Sequence, residues 1–228
     1  MTDPSAGSLI TDYQRRLLSK FFVQFYETNG RVFPWRSDET TPFHLLLAEM
    51  LLRQTQAEQV LPCWRLLTER VQSPNDILRM TPTEIRGIVA PLGLANQRID
   101  ALISCSTRLV TEYGGVVPVS LSDLTALPHI GSYTASAVAC FGFGARLPIV
   151  DGNVLRVLSR ITNRDLGRDN RRSPLALEIA WSILPKQRFR EHNLGLLDFA
   201  AIICTSRKPV HTCCGLRRSC NCLKEKTC

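Results

Sequence analysis

Two carboxylates stand out among the residues of this 228-residue chain whose types and positions could do chemistry. Asp151 follows a glycine- and proline-containing break (GFGARLP) and directly precedes Gly152, where an apolar helical pattern begins, so we expect it at a helix start. The helix dipole stabilises an ionised carboxylate at that position. Glu49 lies in a strongly apolar segment, either on a narrow polar edge or in a desolvated pocket. Burial in a pocket would raise its pKa and let it donate a proton near neutral pH.

Cysteine residues near the C-terminus form a second group that could do chemistry. Six of the nine cysteines lie within the last 25 residues. The first ten residues, MTDPSAGSLI, contain no basic region followed by an apolar run, so no signal peptide is predicted. Without one, a dense cluster of this kind indicates an intracellular metal site and not a disulfide framework. The candidate ligands are Cys204, His211, Cys213, Cys214 and Cys220.

The segment LPHIGSYTA predicts two short helices joined by a tight turn. Pro128 ends the first helix, and Ile130 and Gly131 form the turn. Ser132 is then expected to cap a small-residue helix that starts at Tyr133. A turn of this kind directs backbone N–H groups and a helix N-terminus outward together, which suits a phosphate group without any contact to a base.

Charge and hydropathy narrow the class of partner. The net charge is +8 and the isoelectric point about 9.2, which suits a polyanion such as nucleic acid without requiring one. No apolar stretch reaches the roughly 18 residues that a membrane span needs. The length allows one sizeable core or two small lobes.

The coarse secondary structure is all-α. An amphipathic helix is predicted over residues 9–28, and one long, apolar helix over residues 42–70, which would place Gln54 on a solvated helix edge. Three further helices are expected between residues 73 and 127. No alternating strand pattern of useful length occurs, so the sequence predicts helices packed on helices.

Three segments together resemble the endonuclease III and MutY superfamily of DNA glycosylases. LPHIGSYTA followed by IVDGNVLR is similar to its helix-hairpin-helix and Asp signature, and AEMLLRQTQ is similar to its Glu-containing segment. The resemblance implies a two-lobed helix-hairpin-helix DNA glycosylase fold with a C-terminal iron–sulfur cluster loop. Residues 30–148 would form a six-helix lobe, and residues 1–29 with 149–228 a second lobe. His129 stands where the family usually has Gly, which costs stability if the position needs positive φ.

The same resemblance implies catalytic roles for three residues. Asp151 would stabilise the charge on the sugar and orient or activate a water, and Glu49 would contact the extruded base. Tyr133 stands where bifunctional endonuclease III-type enzymes have the Lys that forms a Schiff base with the sugar. Because a phenol cannot form that adduct, a monofunctional glycosylase is implied.

DNA contacts are implied for two further segments. Gln54 matches the family residue that fills the gap left by the flipped nucleotide. His129, Gly131 and Ser132 belong to the hairpin that would bind the DNA backbone. The implied partner is double-stranded DNA with a mismatched or damaged base, bound by a monomer inside the cell, in the cytoplasm or nucleoid.

The cysteine spacing resembles the family's [4Fe-4S] loop in three of four positions. Cys204, Cys214 and Cys220 match, whereas His211 stands at the second position and Cys213 lies two residues further on. The resemblance leaves the fourth ligand open between these two residues. Zn²⁺ held by the same residues, or no metal, are the alternatives.

Two features resemble the Mig-type G:T mismatch glycosylases within this superfamily. Those enzymes have Tyr at the position of Tyr133. The sequence also stops soon after the cysteine cluster, whereas MutY proteins usually continue into a further domain. The implied function is removal of thymine or uracil from G:T or G:U mismatches. The alternatives are an adenine glycosylase acting on A opposite G or 8-oxoguanine, and a non-catalytic helix-hairpin-helix DNA-binding protein.

Overall fold

The structure of the protein is a computed structural model, and the residues described are 10–167 and 173–225. Within these ranges the α-helices are α1 (Asp12–Asn29), α2 (Pro42–Leu51), α3 (Ala57–Arg70), α4 (Pro74–Arg79), α5 (Pro82–Val89), α6 (Ala95–Tyr113), α7 (Leu121–Ala126), α8 (Ser132–Phe143), α9 (Gly152–Thr162), α10 (Pro174–Ile183), α11 (Phe189–Ile202) and α12 (Asn221–Lys224). Short 3₁₀ helices cover Pro34–Arg36, Ala90–Leu92 and His211–Cys213.

The predicted all-α class is confirmed, since the described residues contain no β-strand. In the same two ranges, no helix combines the length and the apolar character that crossing a membrane requires. The prediction that there is no signal peptide rests mostly on residues 1–9, which lie outside the described residues. Cys228 also lies outside them.

The helices belong to two compact units. The central unit is Val32–Ala145 and contains α2 to α8. The terminal unit consists of the described residues up to Arg31 and from Arg146 onward, and contains α1 and α9 to α12.

Close packing of α1 against α11 forms the centre of the terminal unit. A Cβ atom on Gly195 would lie 1.9 Å from the carbonyl oxygen of Phe22, so the two helices can approach this closely only with glycine there. Phe22 and Phe199 are fully buried at this contact, with ring centroids 5.7 Å apart in an edge-on arrangement. Apolar side chains of α9 and α10 complete the core.

Two buried polar residues of α11 bind the chain where the terminal unit meets the central unit in sequence, at Arg31 and just after Arg146. The Asp198 carboxylate accepts hydrogen bonds from the backbone N–H of Arg31 at 2.8 Å and from its Nε at 2.7 Å. Asn193 accepts a hydrogen bond from the N–H of Ile149 at 3.2 Å and donates one to the carbonyl of Leu147 at 2.9 Å. Both side chains are almost completely buried, so these bonds are shielded from water.

Stability of the terminal unit is expected to depend on the protonation of His192. This side chain on α11 is buried, and burial lowers its pKa from about 6.5 to about 4. In the unfolded chain His192 is therefore protonated as the pH falls through about 6.5, whereas in the folded protein it is protonated only near pH 4. The contribution of neutral His192 to the free energy of unfolding is complete above pH 6.5. It decreases as the pH falls, and the free energy of unfolding is about 3 kcal/mol lower by pH 4.

Urea unfolding at pH 7.0 and 4.5 measures this loss. The control variant His192→Asn cannot titrate but retains a donor near the carbonyl oxygen of Ser19, which lies 3.2 Å from Nδ1 of His192. The variant should lose clearly less stability between the two pH values than the wild type. Equal losses in both proteins would show that His192 does not set the pH dependence.

One predicted element of the central unit is wrong. Residues 42–70 do not form a single helix, because α2 ends at Leu51 and α3 begins at Ala57. The backbone reverses at Gln54, which has φ 56°. The last carbonyl groups of α2 accept hydrogen bonds from the guanidinium group of Arg98 instead of from a further helical turn. Gln54 therefore lies in a turn and not on a helix edge.

Candidate active site

Glu49 occupies a buried position on α2 of the central unit. Thr41 caps this helix by accepting a hydrogen bond from the N–H of His44, and Pro42 occupies its first turn. Every residue from Leu45 to Leu51 is buried, and Glu49 itself is 6% exposed. Of the two arrangements left open by the sequence, the desolvated one is observed. A carboxylate in such surroundings is costly to bury and is a candidate for a functional group.

Tyr133 lies in the first turn of α8, a helix that packs directly against α2. The packing is close: a Cβ atom on Gly142 of α8 would lie 3.3 Å from a methyl group of Leu45. Tyr133 is half-buried, whereas the following residues Thr134 and Ala135 are buried. Two helices in contact thus carry the candidate residues Glu49 and Tyr133.

The hairpin between α7 and α8 differs from the prediction at one residue. Gly131, with φ −88° and ψ 173°, is the N-cap of α8, and Ser132 is already its first helical residue. Ser132 was predicted as the cap; among the described residues no side chain caps this helix. Gly131 and Ser132 are both exposed. The amide-rich start of α8 is therefore suited to a phosphate oxygen.

His129 has φ 62°, so the position does need the left-handed conformation that glycine adopts without strain. The cost for a histidine is about 1–2 kcal/mol. Its side chain pairs with Asp100, with Nε2 3.1 Å from Oδ2, and its carbonyl oxygen accepts a hydrogen bond from Arg53 at 3.4 Å. Contacts within the central unit thus hold both the side chain and the carbonyl of His129.

Gln54 is another non-glycine residue of this unit with a left-handed backbone conformation. The turn is closed by a hydrogen bond from the N–H of Thr55 to the carbonyl oxygen of Leu52 at 3.2 Å. Gln54 has φ 56° and its side chain is exposed. Strained, exposed residues of this kind are frequently functional.

Asp151 caps α9 in the terminal unit, as its place before an apolar helical pattern predicts. Its Oδ1 accepts hydrogen bonds from the N–H groups of Asn153 at 2.9 Å and Val154 at 2.7 Å. Its Oδ2 accepts one from Nδ2 of Asn153 at 2.8 Å. Three donors therefore fix the orientation of the carboxylate.

Hydrogen bonds continue from Asp151 toward the cysteine-rich segment. Arg156 donates from one terminal nitrogen to Oδ1 of Asn153 at 2.9 Å, and from Nε to the carbonyl oxygen of Cys204 at 3.0 Å. Asn153 and Arg156 belong to the DGNVLR segment, but the sequence pattern assigned no role to either. Their side chains position the carboxylate and tie α9 to the chain after α11.

Four of the five predicted metal ligands line one pocket of the terminal unit. The pocket has an empty volume of about 370 Å³, part of it open to solvent, and its thiol and imidazole donors are Cys204, His211, Cys214 and Cys220. The rest of the lining is largely apolar, with Val157, Phe199 and Leu216 among its residues. Cys213 is exposed and does not line this pocket.

The donor set suits an iron–sulfur cluster chemically. Burial raises the pKa of the Cys214 and Cys220 thiols, and the neighbouring Cys204 raises both further. Positive metal centres would reverse that shift by stabilising the thiolates. Arg160 donates a hydrogen bond to Sγ of Cys204 at 3.3 Å. Within the described ranges, no group of three or more His, Cys, Asp or Glu side chains is arranged to hold a metal ion.

Two cysteines had no place in the predicted pattern. Cys222 is buried and disulfide-bonded, so it is not a candidate ligand. Cys228 lies outside the described residues.

Comparison with known proteins gives consistent similarities. Residues 47–179 match the family model of the HhH-GPD superfamily base excision DNA repair proteins. A thymine/uracil-DNA glycosylase from Methanothermobacter thermautotrophicus is 34% identical over 211 residues, which cover 92% of this chain and 95% of that protein. An adenine DNA glycosylase from Mycobacterium tuberculosis is 30% identical over 203 residues, covering 89% of this chain and 66% of that protein.

A solved structure shows the same fold at similar identity. The structure of a thermostable thymine-DNA glycosylase superposes with a TM-score of 0.87 and 33% identity, covering 92% of this chain and 97% of that one. The family match spans both carboxylates, the Gln54 turn and the hairpin.

Proposed function

The chain belongs to the HhH-GPD superfamily of base excision DNA repair proteins, and from that premise we propose that it hydrolyses the N-glycosyl bond of thymine or uracil opposite guanine without cutting the DNA strand. The chain is a DNA glycosylase, that is, a hydrolase of N-glycosyl bonds. The observation that carries the monofunctional proposal is Tyr133 in the first turn of α8, because a phenol cannot form a Schiff base with the sugar. Similarity to the thymine/uracil-DNA glycosylase over nearly all of both chains supports the substrate.

The chemistry assigned to Asp151 follows from its fixed carboxylate. During excision, the bond between C1′ of the sugar and N1 of the pyrimidine breaks and its electron pair leaves with the base. Positive charge then develops on the sugar, which an ionised carboxylate stabilises. A water supplies the hydroxyl group to C1′, and Asp151 orients it and accepts its proton.

The role assigned to Glu49 is recognition of the extruded base. Thymine offers no N7 for protonation, so Glu49 would hydrogen-bond the edge of the pyrimidine ring. Its burial supports this role, because a hydrogen bond in dry surroundings discriminates strongly between partners that satisfy it and partners that do not.

DNA contacts are assigned to exposed residues of the central unit. The N–H groups at Gly131 and Ser132 would bind a backbone phosphate. His129, whose carbonyl oxygen accepts a hydrogen bond from Arg53, would shape the turn between α7 and these two residues. Gln54 would enter the space left by the extruded nucleotide. The net charge of +8 supports binding of duplex DNA, which we expect of a monomer acting inside the cell, in the cytoplasm or nucleoid.

We propose a [4Fe-4S] cluster in the pocket of the terminal unit. Cys204, Cys214, Cys220 and His211 would hold it, with His211 preferred over Cys213 because only His211 lines the pocket. When bound, the cluster would cross-link the segment between α11 and α12, which contains all four ligands.

The cluster proposal predicts a colour and its loss on mutation. Protein purified without oxygen should show broad visible thiolate-to-iron absorbance and contain about four iron atoms per chain. His211→Ala should lose most of this absorbance, and the matched variant Cys213→Ser should retain it. The reverse result would assign Cys213 as the ligand, and stoichiometric zinc in place of iron would assign a zinc site.

A second substrate class has a specific observation in its favour. The adenine DNA glycosylase relative is 30% identical, only slightly less than the thymine/uracil-DNA glycosylase relative. Adenine opposite guanine or 8-oxoguanine is therefore the alternative substrate.

Single-turnover assays on end-labelled duplexes distinguish these functions. The duplexes carry G:T, G:U, G:A or 8-oxoG:A, and each reaction is analysed with and without alkali, which breaks abasic sites. Alkali-dependent cleavage confined to the strand with thymine or uracil is expected. Cleavage of the adenine strand would select the alternative, and tight binding with no cleavage of any duplex would leave a non-catalytic DNA-binding protein.

A further inference from the structure

Arg98 is a buried cation in the first turn of α6, and most of its hydrogen-bond partners lie on the segment after Glu49. The side chain is 6% exposed, and desolvation lowers the pKa of its guanidinium group. Its Nε donates a hydrogen bond to the carbonyl oxygen of Gly93 at 2.9 Å. Its terminal nitrogens contact the carbonyl oxygens of Met50 (3.3 Å), Leu51 (3.0 Å), Arg53 (3.1 Å) and Leu92 (3.4 Å) and the hydroxyl of Thr55 (2.6 Å).

This hydrogen-bond set replaces a normal helix end. Carbonyl groups at the end of a helix lack intrahelical donors and carry partial negative charge, so a cation there is stabilising. Arg98 satisfies the carbonyls of Met50 and Leu51 at the end of α2. The same guanidinium group satisfies the carbonyl of Arg53 in the turn that follows. The Thr55 hydroxyl completes the link, because it accepts from Arg98 and donates to the carbonyl oxygen of Arg53 at 3.2 Å.

The residue that this turn presents is Gln54. It has φ 56° and is exposed, so the turn holds a strained backbone with an outward side chain. No Gly, Asn or Pro among residues 52–56 favours that conformation by itself. Arg98 contacts the backbone carbonyl of Arg53 before Gln54 and the side-chain hydroxyl of Thr55 after it, and these contacts supply the constraint.

We propose that Arg98 is a positioning residue for base extrusion, which holds Gln54 in the orientation that fills the vacated space. The proposal rests on the function proposed above. The planar fork of the guanidinium group matches several carbonyls at once, whereas the point charge of a lysine satisfies fewer of them. Removing the fork should loosen the turn and slow extrusion, while contacts that any duplex makes with the phosphate-binding hairpin remain.

Two variants and one control test this role. Arg98→Met removes the guanidinium fork and keeps much of the apolar volume. Thr55→Val keeps the side-chain shape but removes the hydroxyl group that accepts from Arg98 and donates to the carbonyl oxygen of Arg53. Arg98→Lys tests rescue by a conservative change. The control Arg79→Met removes an exposed positive charge on α4, whose side chain pairs with Asp76.

The measurements separate positioning from folding and from general DNA affinity. Each variant is assayed for single-turnover excision of the mismatched base, for affinity toward undamaged duplex, and for thermal unfolding. Extrusion is followed directly by the fluorescence of 2-aminopurine placed beside the target base.

Arg98→Met is expected to slow excision about 100-fold and to suppress the 2-aminopurine signal, with affinity for undamaged duplex within about twofold of the wild type. Thr55→Val should slow excision about 10-fold, Arg98→Lys should recover part of the loss, and Arg79→Met should match the wild type. If Arg98→Met does not fold, Thr55→Val carries the test alone.

Two results would overturn this inference. One is wild-type excision and fluorescence in Thr55→Val and in folded Arg98→Met. The other is a parallel loss of excision and of affinity for undamaged duplex, which would make Arg98 merely structural. A wild-type protein that excises no base from any duplex would instead overturn the proposed function.

Discussion

Replacing Asp151 by Asn is expected to slow base excision about 10³-fold in single-turnover reactions while leaving the fold and duplex binding intact. The variant would lose the negative charge proposed to stabilise the developing sugar cation and the group proposed to accept the proton of water. The cap of α9 survives, because the amide oxygen of Asn can still accept from the N–H groups of Asn153 and Val154. Asn and Asp cap helices about equally well.

The measurement compares excision rate, duplex affinity and thermal unfolding in Asp151→Asn and in the control Asp165→Asn. Asp165 is exposed and lies in the same unit, so the control removes one negative charge elsewhere. Affinity for duplex DNA should stay equal or rise slightly in both variants, since each removes repulsion from phosphates. Excision by Asp151→Asn within about tenfold of the wild type would exclude Asp151 from the chemistry.

Replacing Tyr133 by Lys is expected to produce a covalent adduct between the protein and the sugar, which the wild-type reaction does not form and which borohydride can trap. Once the base has left, the lysine amine can attack C1′ and form a Schiff base, which borohydride reduces to a stable secondary amine. The wild type has no amine at this position and should give no trapped complex. The variant should also nick a fraction of the strands without alkali.

The matched control for this experiment is Ser132→Lys, which places an amine one residue earlier in the same helical turn. Successive residues point about 100° apart around a helix, so this amine should not reach the sugar carbon. Trapping is measured as a slower-migrating protein–DNA complex in denaturing gels. Equal trapping by both variants, or none by Tyr133→Lys, would show that position 133 does not face the sugar.

Much of the fold could be predicted from the sequence because its signals are local. The predicted all-α fold and the superfamily are both confirmed, and they rest on helical periodicity and on the LPHIGSYTA and IVDGNVLR segments. The cap formed by Asp151 could also be predicted, since a carboxylate directly before an apolar helical pattern commonly caps the helix. The positive φ at His129 follows from a position where the family usually has Gly.

The turn that separates α2 from α3 could not be predicted in the same way. Its residues include no Gly, Asn or Pro, and the partner that stabilises it, Arg98, is distant in sequence. One signal was present: Arg98 lies on the same helical face of α6 as the buried residues Leu102, Cys105 and Leu109. A charged residue at a buried helical position indicates a specific set of hydrogen-bond partners. The placement of Gln54 depends on that set.

The central claim is that the chain releases an intact pyrimidine base from a G:T or G:U pair and leaves an uncut abasic strand. Mass spectrometry of a single-turnover reaction tests it most directly, because it identifies the free base and the remaining strand together. We expect free thymine or uracil in amounts equal to an unbroken abasic strand. Free adenine, or a strand already cleaved before alkali is added, would contradict the account.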